Sequence, residues 1–197
     1  MLSNNYCEVN IATVLAAPYN VDGGDHIWAK VSAVNVYGES AQSSAGNDAM
    51  YTRVPDSPIS LAEDSLQRTA TTIGITWADG SNNGGVAITN YKIEYREQDG
   101  STFTEAGTTA TKAFSITPLT LGTTYEIQVS AQNSVGYSEP SALFTILHAI
   151  RPDQPSAPAT VNSGTDIVVT WSAPTDNGSP ITSFQILFQQ QDGQFSE

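Results

Sequence analysis

Cysteine is almost absent from this chain: Cys7 is the only one. A single thiol excludes an internal disulfide framework and any cysteine-rich zinc site. Histidine is nearly as scarce, with His26 and His148 alone, too few for a histidine metal cluster and little for a catalytic triad. Basic residues are also few. Seven Lys and Arg stand against twenty Asp and Glu, a formal net charge of −13. Nucleic acid and anionic membranes both need a basic surface, so neither is expected as a partner. No apolar run approaches the ~18 residues that suggest a membrane span. The start, Met1 to Asn10, has no basic n-region and no apolar h-region, so it does not read as a signal peptide. Helical patterning is missing as well, because no stretch of about 11 residues keeps a 3.6-residue apolar period. What remains is a chain of 197 residues that is 39% hydrophobic and only 14% charged. That composition is globular rather than disordered. The length suits one or two domains.

An internal repeat is the main positive signal. The segment Val31-Ser32-Ala33-Val34-Asn35-Val36-Tyr37-Gly38-Glu39-Ser40 aligns with Val129-Ser130-Ala131-Gln132-Asn133-Ser134-Val135-Gly136-Tyr137-Ser138. Pro55-Asp56-Ser57-Pro58 aligns with Pro152-Asp153-Gln154-Pro155, and Ile75-Thr76-Trp77 with Val169-Thr170-Trp171. Ile88-Thr89-Asn90-Tyr91-Lys92-Ile93-Glu94-Tyr95 aligns with Ile181-Thr182-Ser183-Phe184-Gln185-Ile186-Leu187-Phe188. The spacing is of domain length rather than the ~20–50 residues of a solenoid repeat. Its phase leaves one complete unit, 54–148, between the back half of a unit, 1–53, and the front half of another, 149–197. Glu197 falls at the phase of Glu105.

Within the units the apolar period is two. Ile73, Ile75 and Trp77 alternate with Thr72, Gly74 and Thr76; Tyr91, Ile93 and Tyr95 alternate with Lys92, Glu94 and Arg96. Tyr125, Ile127, Val129 and Ala131 alternate with Glu126, Gln128, Ser130 and Gln132. Such strands bury one face and solvate the other. Turn residues separate them at Asp79–Gly85, Gln98–Ser101 and Leu121-Gly122-Thr123. Short alternating strands between turns predict an all-β, two-sheet sandwich. Its expected core is Ile73, Ile75, Trp77, Tyr91, Ile93, Tyr95, Ile116, Leu119, Tyr125, Ile127 and Val129, with Trp171 in the corresponding place of the last half-unit.

The central unit resembles a fibronectin type III module, an immunoglobulin-like β-sandwich. The resemblance rests on Pro55 and Pro58 before the first strand, on Trp77 at the end of the second and on Tyr91-Lys92-Ile93-Glu94-Tyr95-Arg96 in the third. It rests also on Leu119-Thr120-Leu121-Gly122-Thr123-Thr124-Tyr125, which is similar to the family's tyrosine corner, and on Val129–Asn133 followed by Gly136, Ser138, Pro140 and Ser141. It implies strands E, F and G in 1–53, with Ile11 to Tyr19 as strand E, and strands A, B, C and the start of C′ in 149–197. It implies a non-catalytic structural or adhesive protein-binding module, part of a tandem array at a cell surface or in an extracellular matrix. The Arg-Gly-Asp tripeptide and the Trp-Ser-x-Trp-Ser signature are both absent. Two other roles stay open: an ancillary module of a secreted, carbohydrate-active enzyme, and a segment of an intracellular scaffold. The first half-unit departs from the pattern, with Ile27 in place of the corner tyrosine and Asp22-Gly23-Gly24-Asp25 lengthening the turn. With Cys7, it resembles a cysteine-bearing variant of long surface proteins of ciliated protists, in which a second cysteine lies upstream.

Candidate sites are weak against plainer readings. Asp79-Gly80-Ser81-Asn82-Asn83-Gly84 has the opening of an EF-hand loop, but Asn90 stands where a bidentate Glu is needed, so a turn is expected. Asp22 and Asp25 supply too few oxygens for calcium. Asn177-Gly178-Ser179 is a formal glycosylation sequon followed by Pro180. Glu94, Glu97, Asp99 and Glu105 would have to converge in a cleft to act as a glycosidase pair; they read instead as a solvated acidic edge, which protects against unwanted strand pairing. His26 and His148 are expected to be isolated. No catalytic, cofactor or metal site is therefore predicted. Trp28 falls on the outward parity of its strand and is the candidate contact residue.

The half-units carry the sharpest expectation. About 50 residues bury too little surface to fold readily alone. Strands E, F and G of one half are the complement of A, B and C of the other. Seven strands place the two ends of a unit at opposite poles, about 30 Å apart, and each linker residue spans at most about 3.5 Å. Pairing of the halves therefore implies head-to-tail association between chains. The plainer expectation is that the chain is a fragment of a longer array.

Overall fold

The computed structural model describes residues 6–191 and 193–196. The first half of the Met1–Asn10 stretch, residues 1–5, together with Asp192 and Glu197, lies outside them. The first third holds a short helix α1 (Ile11–Leu15) and strands β1 (His26–Ala29), β2 (Val34–Asn35), β3 (Gly38–Glu39) and β4 (Gly46–Met50). The middle holds β5 (Ile59–Asp64), a 3-10 turn (Ser65–Gln67), β6 (Ile73–Ala78), β7 (Asn90–Glu97), β8 (Thr104–Thr109), β9 (Ala113–Ile116), β10 (Thr124–Gln132) and β11 (Phe144–Leu147). The last part holds β12 (Ala159–Ser163), β13 (Asp166–Thr170), β14 (Phe188–Gln189) and β15 (Phe195–Ser196).

The middle strands form an antiparallel sandwich. One sheet has the order β5-β6-β9 and the other β11-β10-β7-β8. Period-two alternation explains the arrangement. Ile73, Ile75 and Trp77 of β6 face Tyr91 and Ile93 of β7 and Tyr125, Ile127, Val129 and Ala131 of β10, and all are buried in one cluster with Ile116 and Leu119. Tyr95 lies at its margin, half-buried. The Trp77 and Tyr91 rings meet edge to face at 5.4 Å, a favoured aromatic geometry. Fully burying each large aliphatic side chain contributes about 1.5–3 kcal/mol. The hydroxyl of Tyr125 accepts the N–H of Thr120 at 3.0 Å, tying the strand to the turn before it.

Where Pro140 and its neighbours interrupt the ladder beside β10, serines replace it. Ser138 Oγ accepts the N–H of Ala131 at 3.0 Å and Ser141 Oγ that of Val129 at 3.1 Å. The first unit repeats the device: Ser40 Oγ accepts from Ala33 at 2.9 Å and Ser43 Oγ from Val31 at 3.1 Å. Buried backbone donors are costly to leave unpaired, which accounts for the device in the central unit, where both bonds are buried; in the first unit the same bonds are exposed.

The flanks differ from expectation in three places. Ile11 to Tyr19, expected as strand E, begins as the helix α1. Asn10 caps it by accepting from Ala12 N at 2.9 Å, and Ala16 N donates back to Ala12 O at 3.2 Å. No strand lies beside this segment among the described residues, so its backbone groups pair within the segment instead. In the last part, β12 and β13 pair as A and B do, but 181–187 form no strand, and only Phe188–Gln189 pairs, with Phe195–Ser196. Trp171, expected in the core, is 39% exposed against 6% for Trp77; its ring contacts Phe184 at 5.4 Å and it lines an open groove with Phe195 instead of lying between two packed sheets.

Truncating the central tryptophan tests this core. Trp77→Ala is expected to cost about 3–5 kcal/mol, as other buried aromatic truncations do. Chemical denaturation of residues 54–148 measures it, and a loss below about 1 kcal/mol would overturn the core assignment.

Candidate functional site

Two clusters of polar contacts lie where one repeat of the sequence meets the next. At the first, the linker 51–56 runs between the turn 22–25 of the first unit and the turn 81–85 of the central one. Tyr51 N donates to Asp25 O and Gly24 N to Tyr51 O, both at 2.9 Å. On the other side Arg53 N donates to Gly84 O at 2.9 Å and Asp56 N to Asn82 O at 2.8 Å. The linker backbone is thus bonded to both units. Glycine is required by the closeness of the two turns. Gly85 sits at φ 81°, and a Cβ there would lie 2.3 Å from Gly24 N.

Side chains reinforce the contact. Arg53 grips Asp22 with Nε at 2.7 Å and Nη2 at 3.3 Å, and its Nη1 reaches Asp56 at 2.8 Å. Asp56 also accepts from Ser81 Oγ at 2.7 Å and Asn82 N at 2.9 Å. Asn82 Nδ2 crosses to Asp22 Oδ2 and Gly23 O, both at 3.1 Å. Asn133, from the turn after β10, donates to Arg53 O at 2.7 Å and Asn83 O at 2.9 Å. The Arg53 bond, then the Gly23 N–H, lowers the Asp22 carboxyl to about 2. Asp56 is lowered too, first by Ser81 and then by Arg53. The guanidinium is held above its ordinary value by Asp22 and then Asp56. The Asp22 side chain is 56% exposed, so solvent screens the pair and its value is in geometry more than energy.

The remaining candidates fall elsewhere. Asp79, the first residue of the EF-hand-like stretch, accepts from the Tyr91 hydroxyl and pairs with Lys112 at 2.6 Å. Burial alone would raise its pKa, but the Lys112 and Tyr91 bonds outweigh this and lower it. Burial, then Asp79, raises the Tyr91 hydroxyl. Asp25 accepts the N–H of Asp22 at 2.8 Å within its own turn. Glu94 pairs with Lys92 at 2.9 Å and accepts from Gln128 at 3.1 Å on the outer face of its sheet. Glu105 lies opposite Glu94 on β8, and Glu97 and Asp99 occupy the turn end. Among the described residues, no group of three or more His, Cys, Asp or Glu is placed to hold a metal ion. Among the described residues, no helix is long and apolar enough to cross a membrane. Cys7 is exposed. Trp28 is 64% exposed on β1.

His148, expected to be isolated in a linker, is fully buried. Its Nε2 donates to Thr69 O at 3.0 Å, and its ring lies 6.5 Å from that of Tyr125. Arg68 Nη1 holds the same linker through Ala149 O at 2.6 Å and Leu147 O at 3.1 Å. Reading along the sequence missed Arg53, Arg68 and His148 because their partners lie far away in it. A local signal lay in the turn before the third strand, where Asn83-Gly84-Gly85 of the central unit corresponds to Asp176-Asn177-Gly178 of the last.

The model for the fibronectin type III domain matches residues 62–146. A fibronectin type III domain is present. Fasciclin-2 of Schistocerca americana is 27% identical over 176 residues, covering 80% of this chain and 19% of that protein. The cell adhesion molecule Dscam2 of Drosophila melanogaster is 32% identical over 126 residues, covering 61% of this chain and 6% of that protein. The crystal structure of domains A168–A170 from titin is 24% identical, with 65% of this chain and 42% of that chain covered and a TM-score of 0.49. The chain spans less than a fifth of the length of the curated relatives it matches. The all-β sandwich around the fibronectin type III domain is the fold class expected from the alternation.

The Asp22–Arg53 pair has a definite pH signature. Its carboxylate is depressed from 3.8 to about 2. The stabilisation it adds is therefore present above about pH 4 and is lost as the pH falls through 2. Carbon-detected NMR titration of the Asp22 carboxyl is expected to give a midpoint near 2, returning toward 3.8 in Arg53→Gln. A midpoint near 3.8 in the unaltered chain would contradict the pairing.

Proposed function

We propose that the chain is a non-catalytic structural and adhesive segment of a tandem fibronectin type III array, outside the cell or at its surface. One observation supports this reading: the stretch that matches the fibronectin type III domain, 62–146, is flanked on both sides by segments that repeat parts of its sequence. Four of the domain's carboxylates, Glu63, Asp79, Glu94 and Glu126, are engaged in ion pairs with bases of the same domain. The similarity to a cell adhesion molecule supports the adhesive role. Proteins bind by the loops and outer sheet faces, with Trp28 as an anchor of the type enriched at binding hot spots. The titin likeness keeps an intracellular scaffold as the rival location, and an ancillary role beside a secreted enzyme as the rival setting.

Cells displaying the chain and shaken in suspension test the adhesive role. They are expected to aggregate more than undecorated cells, and Trp28→Ala is expected to cut that aggregation by about tenfold, as loss of a hot-spot aromatic does. Aggregation equal to that of undecorated cells would overturn the adhesive reading.

A second reading rests on the open apolar faces of the flanks. Val31 is 73% exposed where Val129 is fully buried, and Trp171, Phe184 and Ile186 line an open groove with Val169 and Pro155. The face carrying Val31 and Ala33 is of the kind that covers Trp171's counterpart in the central unit, so isolated chains associate head to tail through it. Sedimentation velocity over a concentration series is expected to show growing species. A single monomer boundary throughout would exclude this association.

A further inference from the structure

The second inter-unit contact is built from the same positions as the first. Gly122 N donates to His148 O at 2.8 Å, as Gly24 N does to Tyr51 O; His148 N donates to Thr123 O at 2.9 Å, as Tyr51 N does to Asp25 O. Ile150 N donates to Asn177 O at 3.1 Å and Asp153 N to Thr175 O at 3.0 Å, as Arg53 N does to Gly84 O and Asp56 N to Asn82 O. Both turns also close in the same way: Gly85 N donates to Asn83 Oδ1 at 2.9 Å and Gly178 N to Asp176 Oδ1 at 3.1 Å. The turns place consecutive residues at positive φ, Gly84 and Gly85 in one and Asn177 and Gly178 in the other. Glycine meets glycine at each contact. A Cβ on Gly178 would lie 2.4 Å from Gly122 N, as one on Gly85 would lie 2.3 Å from Gly24 N.

The side chains at these positions are not the same. Tyr51 is replaced by His148, Arg53 by Ile150 and Asn82 by Thr175. The backbone bonds persist through these changes, so the contact is carried by the main chain and its glycines. From this recurrence we propose that the turn before the third strand of each unit is a docking surface for the glycine turn of the preceding unit. Its occupant is the neighbouring unit of the same array, and docking holds successive units in one fixed orientation. Relative motion is the default for joined domains with small interfaces. Here that freedom is removed because the linker's own donors and acceptors are divided between both neighbours, leaving no slack peptide to hinge. At the first contact Arg53 adds a charged clamp across Asp22 and Asp56. At the second, Asn177 Nδ2 takes a comparable place, donating to Arg151 O at 2.8 Å and Asp153 Oδ1 at 2.9 Å.

This proposal rests on the tandem-array reading but not on adhesion. Its test is the distance between spin labels placed across the first contact of the full chain. Cys7→Ser removes the native thiol, and Ala49→Cys on β4 and Thr108→Cys on β8 supply exposed attachment points. Double electron–electron resonance is expected to give one narrow distance peak. Gly85→Ala, which forces a Cβ into Gly24, is expected to broaden it about twofold or more, toward the freedom of undocked domains. Arg53→Gln, which removes only the clamp, is expected to broaden it less and serves if Gly85→Ala does not fold. The thermal melt of the central domain verifies that each variant is folded. A broad distribution in the unaltered label pair would overturn the proposal. So would a peak of unchanged width in folded Gly85→Ala, or in folded Arg53→Gln where Gly85→Ala fails to fold. A narrow peak together with no cell aggregation would leave the docking standing and remove only the adhesive reading.

Discussion

The core of the central domain depends on two apolar sheet faces meeting. In the central domain they meet, and the consequence is visible residue by residue: Ile73, Ile75, Ile93, Ile127 and Val129 lose all contact with solvent. In the flanks the same kinds of residue stand at the same phase, but no opposing sheet covers them. The strands shorten accordingly. The strand β10 runs through nine residues, whereas its counterpart β1 runs through four. Propensity and pattern are alike in the two; burial is not. Most of the stability of a sheet comes from packing rather than from intrinsic strand preference, and the contrast between the flanks and the centre follows from that.

What the sequence disclosed and what it hid divide along the same line. Alternation of Tyr91, Ile93 and Tyr95, or of Tyr125, Ile127 and Val129, is a local signal, because neighbouring side chains in a strand must point to opposite faces. The core tryptophan and the tyrosine corner were legible for the same reason, being tied to strand ends and turns. The helix at Ile11–Leu15 was not legible. Its β-branched Thr13 and Val14 suit a strand, and only the want of a pairing partner turns the segment inward on its own hydrogen bonds. Residues 181–187 show the same effect in the last part. His148 was misread because a histidine between two strands looks solvated until Thr69, far earlier in the chain, is seen to accept from it.

The candidate sites show a related economy. Four of the carboxylates weighed for a metal or catalytic centre or joined to one of them are engaged with protein. Asp79 serves Tyr91 and Lys112; Asp22 and Asp56 serve Arg53; Glu94 serves Lys92 and Gln128. Polar chemistry in this chain is spent on joining strands and units. The contacts between units were only half legible, since the turns Asn83-Gly84-Gly85 and Asp176-Asn177-Gly178 correspond in sequence but their glycine partners, Gly24 and Gly122, sit in a different unit.

The ion pairs have a further consequence for how such chains behave in company. Arg53, Arg68, Lys92, Arg96 and Lys112 are each satisfied by a carboxylate of the same chain, although acids outnumber bases by twenty to seven. The excess negative charge is therefore left facing outward. Chains lying side by side repel one another within a Debye length of about 8 Å at physiological salt. Crowded on a surface, they would stand apart like the bristles of a charged brush, their open strand edges separated by that field.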